Sequence, residues 1–360
     1  MLELTIGIVG ATGVVGQTAL DILTDDFSGF KVKKLKLYAS RASAGKTISF
    51  KNNKVTIEEP SLSSMLECNA LLFATDASIS NEYIPKLAEK GILCIDKSSA
   101  FRAHPSVPLV VPEVNGNLLT PENLSKFPVV ASPNCCTIPL VIALKPLQEK
   151  FGLKRVIVST YQSVSGAGKP AIDILTDESK NFFVNHDLTC GKSELFPKSI
   201  AFNVMPYVAG ILENGDTDEE SKIISETRKI LSSPNLPLAA TSVRVPTFVG
   251  HGESVTLEFS SKVTAAQIKD ELSHFPGICV IDEKSMLNED LNHYGMFVTP
   301  REAHGKDEVF VSRIRKTDVF ENGISLWIVS DNLRKGAALN AIQVINTCAL
   351  NGTIQSILAK

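Results

Sequence analysis

The chain reads as an α/β protein: a Rossmann-type doubly wound parallel sheet plus an α+β domain built on a large mixed sheet. Three observations predict this. A glycine-rich loop, Gly10-Ala-Thr-Gly13-Val-Val-Gly16, lies between a first apolar strand and a first helical pattern. Strand and helix patterns then alternate through the first third of the chain, the signature of βαβ units. Beyond Cys135 the alternation gives way to β-rich runs with longer spacings, broken by single helical stretches.

Leu4–Val9 is a strand, Val14–Leu23 a helix, Lys33–Ala39 a second strand and Ala70–Ala74 a third. Asn81–Lys90 is helical, and Ile92–Asp96 is a fourth strand. The apolar stretch Phe127–Ala131 reads as a strand that leads into a helical pattern from Thr137 to Pro146. The second part has strands at Val156–Gln162, Ala239–Val245, Ser254–Phe259, Val309–Arg315 and Ile324–Val329, with helices at Glu219–Leu231 and Ala265–Ser273. The last segment, Leu333–Leu350, has helical periodicity and returns to the first domain. The expected division is 1–130 with 332–360 as a dinucleotide-binding domain, and 131–331 as the second domain.

Composition narrows the class. With 360 residues and 44% hydrophobic content the chain can bury two sizeable cores. Its 36 basic and 39 acidic side chains leave a net charge of −3, which gives no argument for nucleic-acid or anionic-membrane partners. No apolar run approaches the ~20 residues needed to span a bilayer. Cysteines at 68, 94, 135, 136, 190, 279 and 348 show neither CxxC pairs nor a framework spacing. An odd, scattered set points to a reducing, cytoplasmic setting and to no structural metal. The start, Met1 to Ile6, runs directly into a strand without a basic region, so no secretory leader is expected.

The glycine loop permits a tight turn and close approach of backbone to a pyrophosphate at a helix N-terminus. After the second strand the run Ser40-Arg41-Ala42-Ser43 carries hydroxyls and a cation and no acid, which suits the 2′-phosphate of NADP rather than the ribose hydroxyls of NAD. A polar surface loop is the plain alternative. The chemistry centres on Asn134-Cys135, between a strand and a helix start, where free N–H groups and the helix dipole favour a thiolate. A small buried hydrophobe is the alternative there. Three further features complete a set suited to acyl transfer through a thioester: the strand and glycine loop from Ser159 to Gly168 with Gln162, the run Arg244 to His251, and Arg102 after the fourth strand. The adjacent Cys136, in helical geometry, leaves on a different face.

At these residues the chain resembles the aspartate-β-semialdehyde dehydrogenase family, from the glycine loop to the run 331–340. The most specific pieces are Pro-Asn-Cys at 133–135, the stretch 161–168, the stretch 107–115 and the Arg-Val-Pro to Gly-His run at 244–251. The resemblance implies Cys135 as nucleophile, His251 as acid/base and Gln162 as the group that orients the acyl chain. It gives the substrate α-carboxylate to Arg244, the α-amino group to Glu219, and the phosphate to Arg102, Asn134 and Lys222. Its cofactor set is Gly10, Thr12, Gly13, Val14, Val15, Ser40, Arg41, Ser43, Ser165, Gly166, Gly168 and Asn332, the last at the nicotinamide carboxamide. It further implies NADPH-dependent reduction of L-aspartyl 4-phosphate to the semialdehyde and inorganic phosphate, on the route to lysine, threonine and methionine, by a homodimer joined through the second domain.

Two departures stand out. The family commonly has Ser-x-Arg-Ser where this chain has its arginine one place earlier, at 41. It tends to have paired glycines where Thr75 and Asp76 follow the third strand. Read from residues alone, Thr217-Asp-Glu-Glu220 is a capping box, hence a solvated helix start rather than a substrate contact. N-acetyl-γ-glutamyl-phosphate reductase and malonyl-CoA reductase chemistry are the competing enzyme readings. A non-catalytic binding paralogue is the third, and it is opposed by Cys135, Gln162, Arg244 and His251 occurring together.

Overall fold

The computed structural model describes residues 1–186 and 193–359. Cys190 lies outside them. The chain divides into two compact units, Met1–Asn134 with Ala337–Lys360, and Cys135–Gly336.

The first unit is built on seven strands: β1 (Leu2–Val9), β2 (Phe30–Tyr38), β3 (Thr47–Phe50), β4 (Asn53–Glu58), β5 (Ala70–Phe73), β6 (Leu93–Asp96) and β7 (Val129–Ala131). Their order is β3-β4-β2-β1-β5-β6-β7. β5, β6 and β7 are buried at every position, as expected of parallel strands covered on both faces. The helix Val14–Ile22 buries Gly16, Ala19, Leu20 and Ile22, and the helix Ala77–Ala88 buries Ser80, Ile84, Leu87 and Ala88. The C-terminal helix Leu339–Leu350 places Ile342 and Ile345 in the same core as Ile6, Ile8, Leu37, Leu72 and Ile95. Burying each such side chain stabilises the fold by roughly 1.5–3 kcal/mol.

The sheet departs from purely parallel at one edge. β3 and β4 form an antiparallel hairpin whose turn residues, Lys51 and Asn52, have φ of 41° and 64°. Left-handed backbone at both positions matches the twist of a tight hairpin turn. The alternation in 47–58 carries this signal, but its strands are short and mostly exposed.

The second unit holds a six-stranded mixed sheet: β8 (Leu153–Gln162), β9 (Leu238–Arg244), β10 (His251–Phe259), β11 (Ile278–Ile281), β12 (Val309–Thr317) and β13 (Gly323–Ser330), in the order β11-β12-β13-β10-β8-β9. β10 runs antiparallel to β8 and β13, whereas β8 and β9 are parallel. The register sets one line of residues across the sheet. Arg244 pairs with Gln162, Gln162 with His251, and His251 with Ser330. Three chemically able side chains from sequence-distant strands therefore stand side by side at one end of the sheet. Two long helices also belong to this unit: Thr137–Phe151, buried over most of its length, and Asp218–Ile230, which packs on β9.

Candidate active site

Cys135 is half-buried and precedes the helix Thr137–Phe151, for which Cys136 is the N-cap. No side chain caps that helix start, and the two thiols belong to the residues that lead into it. The sulfurs of Cys135 and Cys136 and a ring nitrogen of His251 lie within 4.8 Å of one another. The second thiol is thus not turned away, as helical spacing suggests. Cys135 sits in the turn before the helix, where the 100° step per residue does not apply. Burial, with the neighbouring Cys135 as second cause, pushes the Cys136 thiol well above its ordinary value, so Cys136 stays protonated beside the nucleophile candidate. Gly336 packs on the other side: a Cβ there would stand 3.1 Å from the Cys135 carbonyl oxygen and 3.2 Å from its Cβ.

Arg244 ends β9, is buried, and donates from Nη1 to the Ser163 carbonyl at 2.7 Å. Burial lowers its pKa, opposed by Glu219 and then Cys135. Gln162 ends β8 and donates from Nε2 to Thr160 Oγ1 and to Glu219 Oε1, both at 3.2 Å. Glu219 is therefore in the site, and the solvated helix start expected from residues 217–220 is corrected. The capping box does form, with Glu220 Oε2 accepting from the Thr217 N–H at 2.6 Å. Its other oxygen accepts from the Ser242 N–H at 2.7 Å, which ties the helix to β9 and turns Glu219 inward. Lys222, one turn on, is part-exposed and pairs with Asp218.

His251 begins β10 and is buried. Its Nδ1 accepts from the Ser163 N–H at 3.1 Å and lies 3.2 Å from Ser163 Oγ. Asn332, also buried, closes the same corner. Its Oδ1 accepts from the Gly250 N–H at 2.8 Å and from Ser165 Oγ at 3.2 Å, and its Nδ2 donates to Ser165 Oγ at 3.0 Å. Gly166 borders both functional groups: a Cβ there would stand 3.3 Å from Arg244 Nη1 and 3.4 Å from His251 Nε2. Gly168 follows with φ of 86° and caps the helix Lys169–Asn185.

Two further residues belong to this site. Ser163 lies inside the stretch 161–168, whose pattern assigns it no role. The other, Glu253, carries no motif and stands two places after His251 on β10, thus on the same face of the strand. It is buried, and neither carboxyl oxygen has a hydrogen-bond partner among the described residues. Burial, then the charge of Cys135, raises its carboxyl well above the usual range, which favours the neutral acid. An acidic residue at an inward strand position is the signal in the sequence that marks it.

In the first unit the glycine loop joins β1 to the helix Val14–Ile22. Gly10 has φ of 87°, and a Cβ there would stand 2.2 Å from the Ala74 carbonyl oxygen. Thr12 and Gly13 are exposed, while Val14 and Val15 are half-buried in the first helical turn. Gly13 caps that helix with no side-chain bond, and its first turn holds no acid, so the N-terminus fits a pyrophosphate. Ser40 and Arg41 are exposed and Ser43 half-buried, with Arg41 Nε 3.9 Å from Glu59 Oε1. Asp76 is an exposed N-cap of the helix Ala77–Ala88. Arg102 donates from Nη2 to the Lys97 carbonyl at 2.7 Å, and Asn134 is buried.

Residues 5–120 match the family model "Semialdehyde dehydrogenase, NAD binding domain" and residues 144–335 match "Semialdehyde dehydrogenase, dimerisation domain". The fold and site thus define a dehydrogenase with a nicotinamide-binding Rossmann unit. An aspartate-semialdehyde dehydrogenase of Aquifex aeolicus is 44% identical over 97% of this chain and 99% of its own length, and one from Bacillus subtilis is 40% identical over 95% and 96%. The crystal structure of aspartate semialdehyde dehydrogenase II from Vibrio cholerae, complexed with ASA, matches with a TM-score of 0.88 and 36% identity over 96% of this chain and 98% of that one. The chain belongs to the aspartate-semialdehyde dehydrogenase family, enzymes of amino-acid biosynthesis. Among the described residues no helix is long and apolar enough to cross a membrane.

Proposed function

We propose that the enzyme reduces L-aspartyl 4-phosphate to L-aspartate 4-semialdehyde and inorganic phosphate, reversibly, through a thioester on Cys135, in the supply of lysine, threonine and methionine. The observation that carries this reading is the row Arg244, Gln162 and His251 beside the paired thiols. A guanidinium grips a carboxylate through two parallel bonds. Arg244 has donors beyond the one given to Ser163, so it holds the substrate α-carboxylate. Glu219 takes the α-amino group, and Gln162, already bonded to Glu219, orients the acyl chain. The Vibrio cholerae relative complexed with ASA supports a semialdehyde as ligand.

The Cys135 thiolate attacks the acyl carbon, and phosphate leaves toward Arg102, Asn134 and Lys222. His251 serves the oxygen that carries charge in the tetrahedral adducts. When bound, the reduced nicotinamide supplies the hydride that takes the thioester to the aldehyde level. NADP is the proposed cofactor, held by Gly10, Thr12, Gly13, Val14 and Val15 at the pyrophosphate, with Ser40, Arg41 and Ser43 at the 2′-phosphate. Ser165, Gly166, Gly168 and Asn332 serve the nicotinamide end.

The protein works in the cytoplasm as a homodimer through its second unit. Exposed Phe183, Val184, Phe202 and Val204 there, with Phe182 and Phe183 against Phe202, offer an apolar face for a second copy.

The test is reduction of NADP in the presence of phosphate and L-aspartate 4-semialdehyde, beside malonate and glutamate semialdehyde derivatives and beside NAD. Phosphate-dependent turnover of the aspartate compound is expected. Preference for either of the others overturns the substrate assignment.

A further inference from the structure

Cys135 and Cys136 are consecutive, and neither is in a disulfide. Their sulfurs lie within 4.8 Å of one another. The proposed reaction uses the first and gives the second no task. Cys135 is only half-buried, and the guanidinium of Arg244 is close enough to feel its charge. A partly exposed thiolate beside a cation is the kind of sulfur that hydroperoxides oxidise. Cys136 is fully buried at the N-cap of the helix Thr137–Phe151, and burial keeps its thiol protonated. It is shielded from solvent, yet it stands beside Cys135. The other cysteines among the described residues lie elsewhere: Cys68 and Cys94 in the first unit, Cys279 on β11 and Cys348 in the helix Leu339–Leu350.

We propose that Cys135 and Cys136 form a reversible oxidation site: a hydroperoxide oxidises Cys135, and Cys136 closes a disulfide with it that protects the sulfur from irreversible oxidation. This rests on the proposed reading of Cys135 as the reactive thiolate. In the first step the Cys135 sulfur attacks a peroxide oxygen and the O–O bond breaks. Sulfur gives up two electrons, a sulfenic acid forms, and the departing oxygen takes a proton from solvent to leave as water or an alcohol. In the second step the Cys136 sulfur bonds to the Cys135 sulfur and the S–O bond breaks. The proton of the Cys136 thiol leaves with the hydroxyl as water. A dithiol reverses the change, becoming a disulfide itself while both cysteines regain their thiols. Without Cys136 the sulfenic acid meets further peroxide and becomes a sulfinic acid, which thiols do not reduce. Adjacent Cα atoms across a trans peptide stand ~3.8 Å apart, closer than the roughly 4.4–6.8 Å of ordinary disulfides. A bond between neighbours is therefore strained and easily reduced, as a reversible one must be. The 135–136 peptide lies in the turn ahead of the helix, so the ring closes without breaking the helical ladder.

The test treats wild type and Cys136→Ser with hydrogen peroxide and then with dithiothreitol. Peptide mass and activity are followed, each protein against its own untreated activity. In wild type the peptide that holds both cysteines should lose the mass of two hydrogens as activity falls, and dithiothreitol should restore both. Cys136→Ser should instead gain two oxygens at Cys135 and stay inactive after reduction. A wild-type Cys135 that resists peroxide or goes straight to sulfinic acid overturns the proposal. So does a disulfide from Cys135 to any other cysteine or to a second chain, or equal recovery in the two proteins. The masses are read without substrate. Were Cys135 not the acyl carrier, the disulfide would form with turnover intact, which separates failure of that reading from failure of this one.

Discussion

Arg244 is held in a nearly dry slot, with one hydrogen on Ser163 and Glu219 as its charged neighbour. A lysine there keeps the charge but loses the planar fork. Arg244→Lys should cut kcat/KM for the semialdehyde while leaving the cofactor KM nearly unchanged. If cofactor affinity falls instead, Arg244 serves the other ligand. Glu253 makes a prediction of a different kind. Its folded-state carboxyl is raised by burial and by Cys135, so the folded chain keeps a proton that the unfolded chain releases near about pH 4.3. The stability this group contributes is full below that pH and is lost as pH rises toward the folded value. Glu253→Gln is neutral at every pH. Its melting temperature relative to wild type should climb as pH rises above about 4.3, the unfolded-state value. A difference that stays flat shows that Glu253 is charged in the folded protein.

At the scale of elements, the helix Asp218–Ile230 shows what the sequence could and could not say. Its start was legible, because Thr217 and Glu220 at three-residue spacing make a capping box and the structure forms it. Its orientation was not. Glu219 is drawn inward by Gln162 and by the bond from Ser242 to Glu220, contacts that come from strands far away in sequence. The closeness of Cys135 and Cys136 is hidden from the sequence for a similar reason, since a one-residue shift in where the helix begins decides which way a thiol points. The helix Lys169–Asn185 leaves little trace in the sequence because it buries few residues, Ala171, Leu175 and Glu178 among them. Thr217→Ala should destabilise the protein by about 0.5–2 kcal/mol in chemical unfolding, the ordinary cost of a lost N-cap. It should also raise the KM for the semialdehyde, because the cap fixes the turn that carries Glu219. A stability loss with an unchanged KM would separate the cap from the site.

Over the whole molecule, the first unit was the more readable half. Parallel strands alternate with helices in sequence, so chain order nearly dictates neighbourhood. The second sheet was readable as mixed, but its order was not, because β10 lies between β8 and β13, strands separated from it by long stretches of chain. That order brings Arg244, Gln162 and His251 into one line, so the site's geometry stayed hidden while its residues were already named. Cofactor choice is also a property of the assembled first unit. Arg41 is almost fully exposed and only loosely paired with Glu59, hence free to meet a phosphate. Arg41→Ala should lower kcat/KM for NADP about tenfold or more and leave NAD nearly untouched, the scale of one charge-assisted hydrogen bond. An unchanged ratio leaves the 2′-phosphate to the serines and backbone.

The proposed reaction is covalent: the acyl group passes through the sulfur of Cys135. Its most direct test is mass spectrometry of enzyme quenched after mixing with L-aspartyl 4-phosphate in the absence of cofactor. One aspartyl adduct is expected, on the peptide that contains Cys135, labile to hydroxylamine as a thioester is. It should be present in Cys136→Ser and absent from Cys135→Ser, which should also lack turnover. An adduct that survives in Cys135→Ser, or full turnover by that variant, would rule out Cys135 as the acyl carrier.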